Sequence, residues 1–375
     1  MLENRIKQAL DKRATDHKLR RLSGTLQGID FCSNDYLSLA SSKQVHRKLQ
    51  GYLENENMLG ASGSRLISGD RDEWLDIERM IAQYHDADAA LVFGSGYQAN
   101  VGLITALALR AEVIFFDELV HASLREGIRL AGIPVFAFPH NDKDALAQHL
   151  AQSEGQALVV VESIYSMDGD EAPLAAIAEC CDTHQAALIV DEAHALGVFG
   201  PKGSGIVTEQ GLTNLVFARV ATFGKGLGAH GAAVLGSSAL MQYLCNYART
   251  FIYTTGPAAH TWWHIKAAYE VLAKSSYEQE SLQQNIKFFK ANIPASIQSY
   301  FIPARGPIQS MLLSGNEKVM RIARELQEAG FAIIGIRHPS VPKGQERLRI
   351  CLHAHNTVSE IKGLLHMLES LVIEN

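Results

Sequence analysis

The sequence predicts an α/β fold: a large, mostly parallel seven-stranded sheet domain followed by a smaller C-terminal α+β domain. Three observations lead there. Seven short, continuously apolar runs recur between residues 89 and 236, the pattern of strands buried on both faces. Helical patterns such as YQANVGLITALALR and PLAAIAECCDTHQ fall between several of them. The tail, roughly a hundred residues, then reads strand, helix, strand, strand, helix.

Taken in order, MLENRIKQALDKRATDHKLRRL is a charged amphipathic helix pattern without the continuous apolar segment of a signal peptide. With the extended piece GIDFCSNDYLSLA it forms an N-terminal arm over residues 1–45. The large domain is expected over 46–270. Its strand candidates are AALVFG (89–94), EVIFFD (112–117), PVFAFP (134–139), ALVVVES (157–163), AALIVDE (186–192), FARVATF (217–223) and GAAVLG (231–236). A helical stretch over about 237–293 follows, interrupted near Gly256-Pro257. The small domain, 271–375, holds IQSMLLSG, KVMRIARELQEAG, FAIIGIRHP, ERLRICLHA and TVSEIKGLLHMLESLVI. In RLRICLH, alternation sends Leu348, Ile350 and Leu352 to the core face and Arg347 and Arg349 to the other. A solvated face suits Arg347, whereas the planar guanidinium of Arg349 suits bidentate capture of a carboxylate.

Composition narrows the function. The 375 residues are 47% hydrophobic and 20% charged with a net charge of −6, ordinary for a soluble globular protein and without the basic stripe of a nucleic-acid binder. No apolar run approaches the 18 or so residues of a membrane span, so a cytoplasmic protein is the expectation. Cys32, Cys180, Cys181, Cys245 and Cys351 are odd in number and form no CxxC, which fits buried thiols better than disulfides or zinc.

Two motifs mislead. DEAH (191–194) spells a helicase signature, but no GxxxxGK[ST] phosphate loop precedes it. GSGYQAN (94–100) begins like a dinucleotide fingerprint, yet Ala99 stands at the third glycine. A strand before it and a helix after it still suit a phosphate held by backbone N–H groups. Asp191 and His194 lack a third metal ligand, and no metal is expected.

Lys225 is the conspicuous residue. It lies in ATFGKGLGAHGAAVLG, among five glycines, with no acidic residue within ten positions. Sparse charge and burial lower an amine's pKa, as a nucleophile or proton carrier needs. Pyridoxal phosphate requires such a lysine, a carboxylate against its ring nitrogen, a donor at its phenolic oxygen, a stacking ring and a phosphate cradle. Asp191 at the end of AALIVD, His194 three residues on, Thr222 in TFGK and the GSGY turn offer that set at one sheet edge.

The chain resembles the α-oxoamine synthase family of fold-type I pyridoxal-phosphate transferases over nearly its whole length. The matching stretches are CSNDYLSLA, GASGSRLISGD, FGSGYQAN, DELVHASLREG, HND, ESIYSMDGDEAPL, VDEAHALGVFGPKGSG, TFGKGLGAHGA, FIYTT and IRHPSVPKGQERLRI. The resemblance implies that Lys225 joins the cofactor's aldehyde, His121 stacks on its ring and Asp191 meets the ring nitrogen. It implies Ser166 and His194 near the phenolic oxygen, and Gly96, Tyr97 and Thr222 near the phosphate. Thr254 or Thr255 would supply a further phosphate contact from a second subunit, so a homodimer with interfacial sites is implied. Substrate contacts would come from Arg20, Asn34, His121, Ser340 and Arg349. Arg20 and Ser340 would serve the acyl arm, and Arg349 the amino acid carboxylate.

Within the family the pattern is most similar to the biotin-pathway branch. The implied reaction joins L-alanine to pimeloyl-CoA or a pimeloyl carrier protein with loss of CO₂, giving 8-amino-7-oxononanoate, with Lys225 removing the α-proton. Partners would be these small molecules, with no nucleic acid and no membrane. Glycine C-acetyltransferase or another acyl specificity, an NAD-dependent dehydrogenase built on GSGYQ, and a non-catalytic binding protein remain as alternatives. Two positions depart from the family pattern: Glu73-Trp74 where a histidine is often found, and Ser38 where glycine is usual.

Overall fold

The computed structural model describes residues 1–373 apart from 17, 21, 23 and 275. They form two compact units. The larger comprises Asn34–Ser166 and Glu171–Gln279; the smaller comprises Met1–Ser33, Met167–Asp170 and Glu280–Asn375.

The strands in chain order are β1 (Ile29–Asp30), β2 (Ala89–Phe93), β3 (Val113–Asp117), β4 (Val135–Phe138), β5 (Ala157–Glu162), β6 (Ala187–Asp191), β7 (Ala218–Thr222), β8 (Ala232–Gly236), β9 (Ile308–Leu312), β10 (Phe331–Ala332), β11 (Ile334–Ile336) and β12 (Arg347–Cys351). All seven strands expected between residues 89 and 236 join one sheet in the larger unit, ordered β2-β8-β7-β6-β5-β3-β4. Strands β7, β6, β5, β3 and β4 are parallel neighbours, and β8 runs antiparallel to both β7 and β2.

Chain length explains the reversed strand. Parallel neighbours need a crossover of about a dozen residues or more, and only FGKGLGAHG separates β7 from β8. Every residue of β5 is buried, with Val159, Val160 and Val161 fully so. At the sheet edge, Val135 and Phe136 of β4 stay exposed. Burying each of the central aliphatic side chains contributes about 1.5–3 kcal/mol, which makes these strands the fixed frame of the unit.

Residues 34–45, expected in the arm, belong to the larger unit. The helix Lys43–Leu53 lies against Ala259–Leu272, where Lys48 pairs with Glu270 at 2.5 Å and Tyr52 stacks on Trp263.

In the smaller unit β9, β12 and β11 form an antiparallel sheet, and β1 pairs in parallel with β10. FAIIGI, expected as one strand, is therefore two: its first residues bond to β1, and after the buried Ile333 the chain joins β12. Helices Asn316–Glu328 and Val358–Ile373 bury Val319, Ile322, Leu326, Ile361, Leu364 and Leu368. The helix Leu2–Thr15 buries no residue.

One side-chain expectation is also overturned. Arg347 does not face solvent: it is 1% exposed, ion-paired with Asp168, and donates through Nε to Gln345 O at 2.9 Å. The segment Met167–Asp170 covers the face that alternation alone left open. Among the described residues no helix is long and apolar enough to cross a membrane.

Candidate active site

The carboxyl ends of the parallel strands gather the polar residues of the larger unit. Asp117 ends β3, Glu162 ends β5, Asp191 ends β6 and Thr222 ends β7. Ligands of open α/β sheets bind beyond such ends.

Lys225 sits at the first corner of the β7–β8 connection. Phe223 N–H donates to Gly231 O, Ala229 N–H to Phe223 O, and Gly228 N–H to Lys225 O at 2.8 Å. Gly228 turns the chain with φ +65°, and a Cβ there would collide with the backbone of Ala40. The loop thus holds a half-buried amine directly after a rigid strand, with its Nζ 2.8 Å from His194 Nε2. Tyr36 Oη lies 2.7 Å from His194 Nδ1 and donates to Asn34 Oδ1 at 3.0 Å.

Asp191 is 4% exposed and doubly supported. Ala193 N–H donates to its Oδ1 at 2.9 Å, and Asn100 Nδ2–H donates to its Oδ2 at 2.8 Å. Asn100 also donates to Ser123 Oγ, which lies 2.8 Å from His121 Nδ1. Ser123 N–H donates to the same His121 nitrogen, so Nδ1 is an acceptor. Desolvation lowers the His121 pKa first of all, Asp191 opposes this, and Lys225 reinforces it. Glu162 faces Asp191 across the β5–β6 register. Full burial and then Asp191 hold its carboxyl pKa well above the ordinary value.

The helix Gly96–Leu107 follows β2, with Ser95 Oγ accepting from Gln98 N–H. By the geometry of a helix start, the N–H groups of Gly96 and Tyr97 have no intrahelical acceptor. A Cβ on Gly96 would stand 2.6 Å from Thr222 Oγ1, so the missing side chain leaves room beside that hydroxyl. Ser166 is buried, Thr255 is exposed, and Thr254 lines a small cleft with Arg65 and Gly94.

A family model described as aminotransferase class I and II matches residues 27–368. The chain belongs to that family. This aminotransferase-family chain is 39% identical to the 8-amino-7-oxononanoate synthase of Emericella nidulans over 97% of its own length and 94% of the relative's. Among solved structures it is similar to SPT with its PLP internal aldimine (25% identity, TM-score 0.88, covering 100% of this chain and 97% of that one). It is also similar to the 8-amino-7-oxononanoate synthase of Francisella tularensis (27% identity, TM-score 0.78, 92% and 98% covered).

The other residues expected to meet substrate lie in the smaller unit of this aminotransferase-family chain. Arg20 Nη2–H donates to Ser340 Oγ at 3.0 Å, bringing together the two residues expected at the acyl arm. Arg349 is 5% exposed and donates through Nη1 to Cys351 Sγ at 2.9 Å. Of the departures, Trp74 is core, stacked on Trp262 at 5.0 Å, and Ser38 has φ 59°, a region that favours glycine.

Sequence reasoning missed Asn100, Ser123, Tyr36 and Glu162. Asn100 stands four positions after Gly96, hence on the same helix face, and Ser123 stands two after His121. Tyr36 is inside SNDYL, two after Asn34, and Glu162 ends a strand beside Asp191. These spacings were the available signals.

Proposed function

We propose that the chain is a pyridoxal 5'-phosphate enzyme that condenses L-alanine with a pimeloyl thioester, releasing CO₂ and thiol, to make 8-amino-7-oxononanoate. The observation that carries the reading is the juxtaposition at one sheet edge of a constrained amine, Lys225, a buried carboxylate, Asp191, and the histidine His194. The extent of similarity to the synthases above supports the choice of branch.

The donor set fits the cofactor. Gly96 leaves a space at a helix start beside Thr222 Oγ1, as a phosphate needs. Asn100 keeps Asp191 in place as an acceptor. Lys225, His121, Asp191, His194, Ser166, Gly96, Tyr97 and Thr222 would hold the group, with Thr254 or Thr255 reaching the phosphate from a second subunit. When bound, pyridoxal phosphate supplies an aldehyde for an amine and an electron sink for charge developing at the amino acid's α-carbon.

The chain's own residues do the rest. Lys225 Nζ takes the α-proton of alanine and returns one to the product; a positioned base of this kind contributes about 10²–10⁴-fold. Asp191, held by Asn100 Nδ2–H and Ala193 N–H, would face the cofactor's ring nitrogen. Arg349 grips the amino acid carboxylate, and Arg20 with Ser340 receives the distal carboxylate of the acyl chain. Small-molecule substrates follow from the family, and a cytoplasmic homodimer is our fuller reading.

The test is a thiol-release and CO₂-release assay over glycine, alanine and serine against acetyl, succinyl, pimeloyl and palmitoyl thioesters. Turnover should peak with alanine and pimeloyl, and Lys225→Ala should abolish it while remaining folded. A peak elsewhere moves the substrate assignment; normal turnover by Lys225→Ala ends the mechanism.

A further inference from the structure

Asn34, Tyr36, His194 and Lys225 form one hydrogen-bonded line inside the larger unit. Tyr36 is fully buried, with its Oη 3.0 Å from Asn34 Oδ1 and 2.7 Å from His194 Nδ1. His194, 3% exposed, places Nε2 2.8 Å from Lys225 Nζ.

Following the protons along this line assigns the imidazole. An amide oxygen only accepts, so it takes the phenol's proton. The phenol oxygen then offers lone pairs to His194, which must donate through Nδ1–H. A neutral imidazole protonated at Nδ1 carries its lone pair at Nε2, aimed at Lys225. Were the hydroxyl turned towards His194 instead, Nδ1 would accept and Nε2 would carry the proton. The direction of one buried O–H therefore decides what His194 offers Lys225.

We propose that Tyr36 is a positioning residue that pins the His194 proton on Nδ1 and so makes His194 Nε2 the acceptor for a proton of Lys225. In that transfer an N–H bond of the Lys225 ammonium breaks and an N–H bond forms at Nε2. The resulting imidazolium keeps its Nδ1–H on the Tyr36 oxygen, and Lys225 is left as the neutral amine. The return transfer restores both groups. Among the described residues His121 and Glu162 both feel the charge of Lys225, and Asp191 acts on each of them in turn. The contribution to turnover rests on the reading of Lys225 given above, whereas the tautomer is that of the cofactor-free chain; once Nε2 has taken the proton, His194 is able to donate to the cofactor's phenolic oxygen, as that reading requires.

The closing experiment uses the cofactor-free full chain labelled with ¹⁵N-histidine. Long-range ¹H–¹⁵N spectra, with His194→Asn identifying the resonance, should show wild-type His194 protonated at Nδ1 and bare at Nε2. In Tyr36→Phe that preference should be lost. In the loaded enzyme Tyr36→Phe should lower kcat about tenfold, the scale of one positioned hydrogen bond, with KM little changed and the acidic limb of the kcat profile displaced. Wild-type His194 protonated at Nε2 overturns the proposal, and needs no variant to fold. An unchanged tautomer in folded Tyr36→Phe overturns it equally. If no thioester supports turnover, the reaction assignment falls, while the ¹⁵N result still decides the role of Tyr36.

Discussion

Asn100 donates to Asp191 Oδ2 at 2.8 Å, an amide from the first turns of one helix fixing a carboxylate at the end of a strand. The same Nδ2 donates to Ser123 Oγ and so joins His121 to the network. A hydrogen bond to a charged acceptor is worth about 1.5–3 kcal/mol. Asn100→Leu keeps the volume and, among the described residues, leaves Asp191 with the N–H of Ala193 alone, so pyridoxal phosphate should bind about 10- to 100-fold more weakly. Fluorescence titration of the cofactor-free protein measures this. Wild-type affinity in the variant would mean that the amide does not hold the carboxylate in its working position.

Much of this site was legible because its chemistry sits at strand ends. Continuous runs such as VVV at 159–161, short and bounded by turn residues, fit buried strands, and the letters at or just beyond their ends, Asp191 and Lys225 among them, fall at one edge of the sheet. What stayed hidden depends on contacts between distant segments. Asn100 and Asp191 are 91 positions apart, and nothing local announces their bond. The error at Arg347 has the same origin: strand alternation marks two faces but not what covers them, and Asp168 comes from far upstream. The split of FAIIGI between two sheets is likewise dictated by the partners β1 and β12, not by propensity.

His85 predicts an acid-dependent loss of stability. Its Nδ1–H donates to Ser204 O at 2.9 Å, and its Nε2 accepts from Tyr269 Oη at 2.9 Å. Burial, with Arg219 nearby, pulls its pKa from 6.5 down to about 3. Between those values the unfolded chain binds the proton and the folded chain does not. This site's contribution is therefore complete above pH 6.5 and lost as pH falls towards 3. Relative to His85→Gln, the wild type should lose about 1.4 kcal/mol per pH unit in that window. Urea melts of both proteins at several pH values check it; parallel losses would show that His85 is not held neutral.

Arg347 and Asp168 predict a large cost for one substitution in the smaller unit. The guanidinium is buried, and Asp168 is its carboxylate partner, with a side chain 14% exposed. Removing one partner of a buried pair strands the other charge, at a cost of about 3–5 kcal/mol. Arg347→Met should thus destabilise strongly despite its similar length, and Arg347→Met with Asp168→Leu should recover a good part of the loss. A Tm of Arg347→Met equal to that of the wild type would restore the solvated reading of this residue.

Arg20 and Ser340 make the acyl specificity testable at the level of one carboxylate. Ser340 Oγ accepts a single N–H of Arg20, and a guanidinium has five, so the fork keeps donors for a bidentate carboxylate. The hydroxyl orients the fork without neutralising it, and both side chains are exposed where they meet. If they receive the distal carboxylate of a pimeloyl chain, Arg20→Gln removes a charge-assisted pair worth about 1.5–3 kcal/mol. KM for the pimeloyl thioester should then rise about 10- to 100-fold. KM for the heptanoyl thioester, with the same chain length and no distal carboxylate, should stay within about twofold, because it never gained that interaction. Ser340→Ala should give the same pattern at a few-fold scale, since it loosens the fork but leaves its charge. Equal effects of Arg20→Gln on both thioesters would assign the arginine to holding the arm in shape, and the acyl carboxylate would have to be met elsewhere.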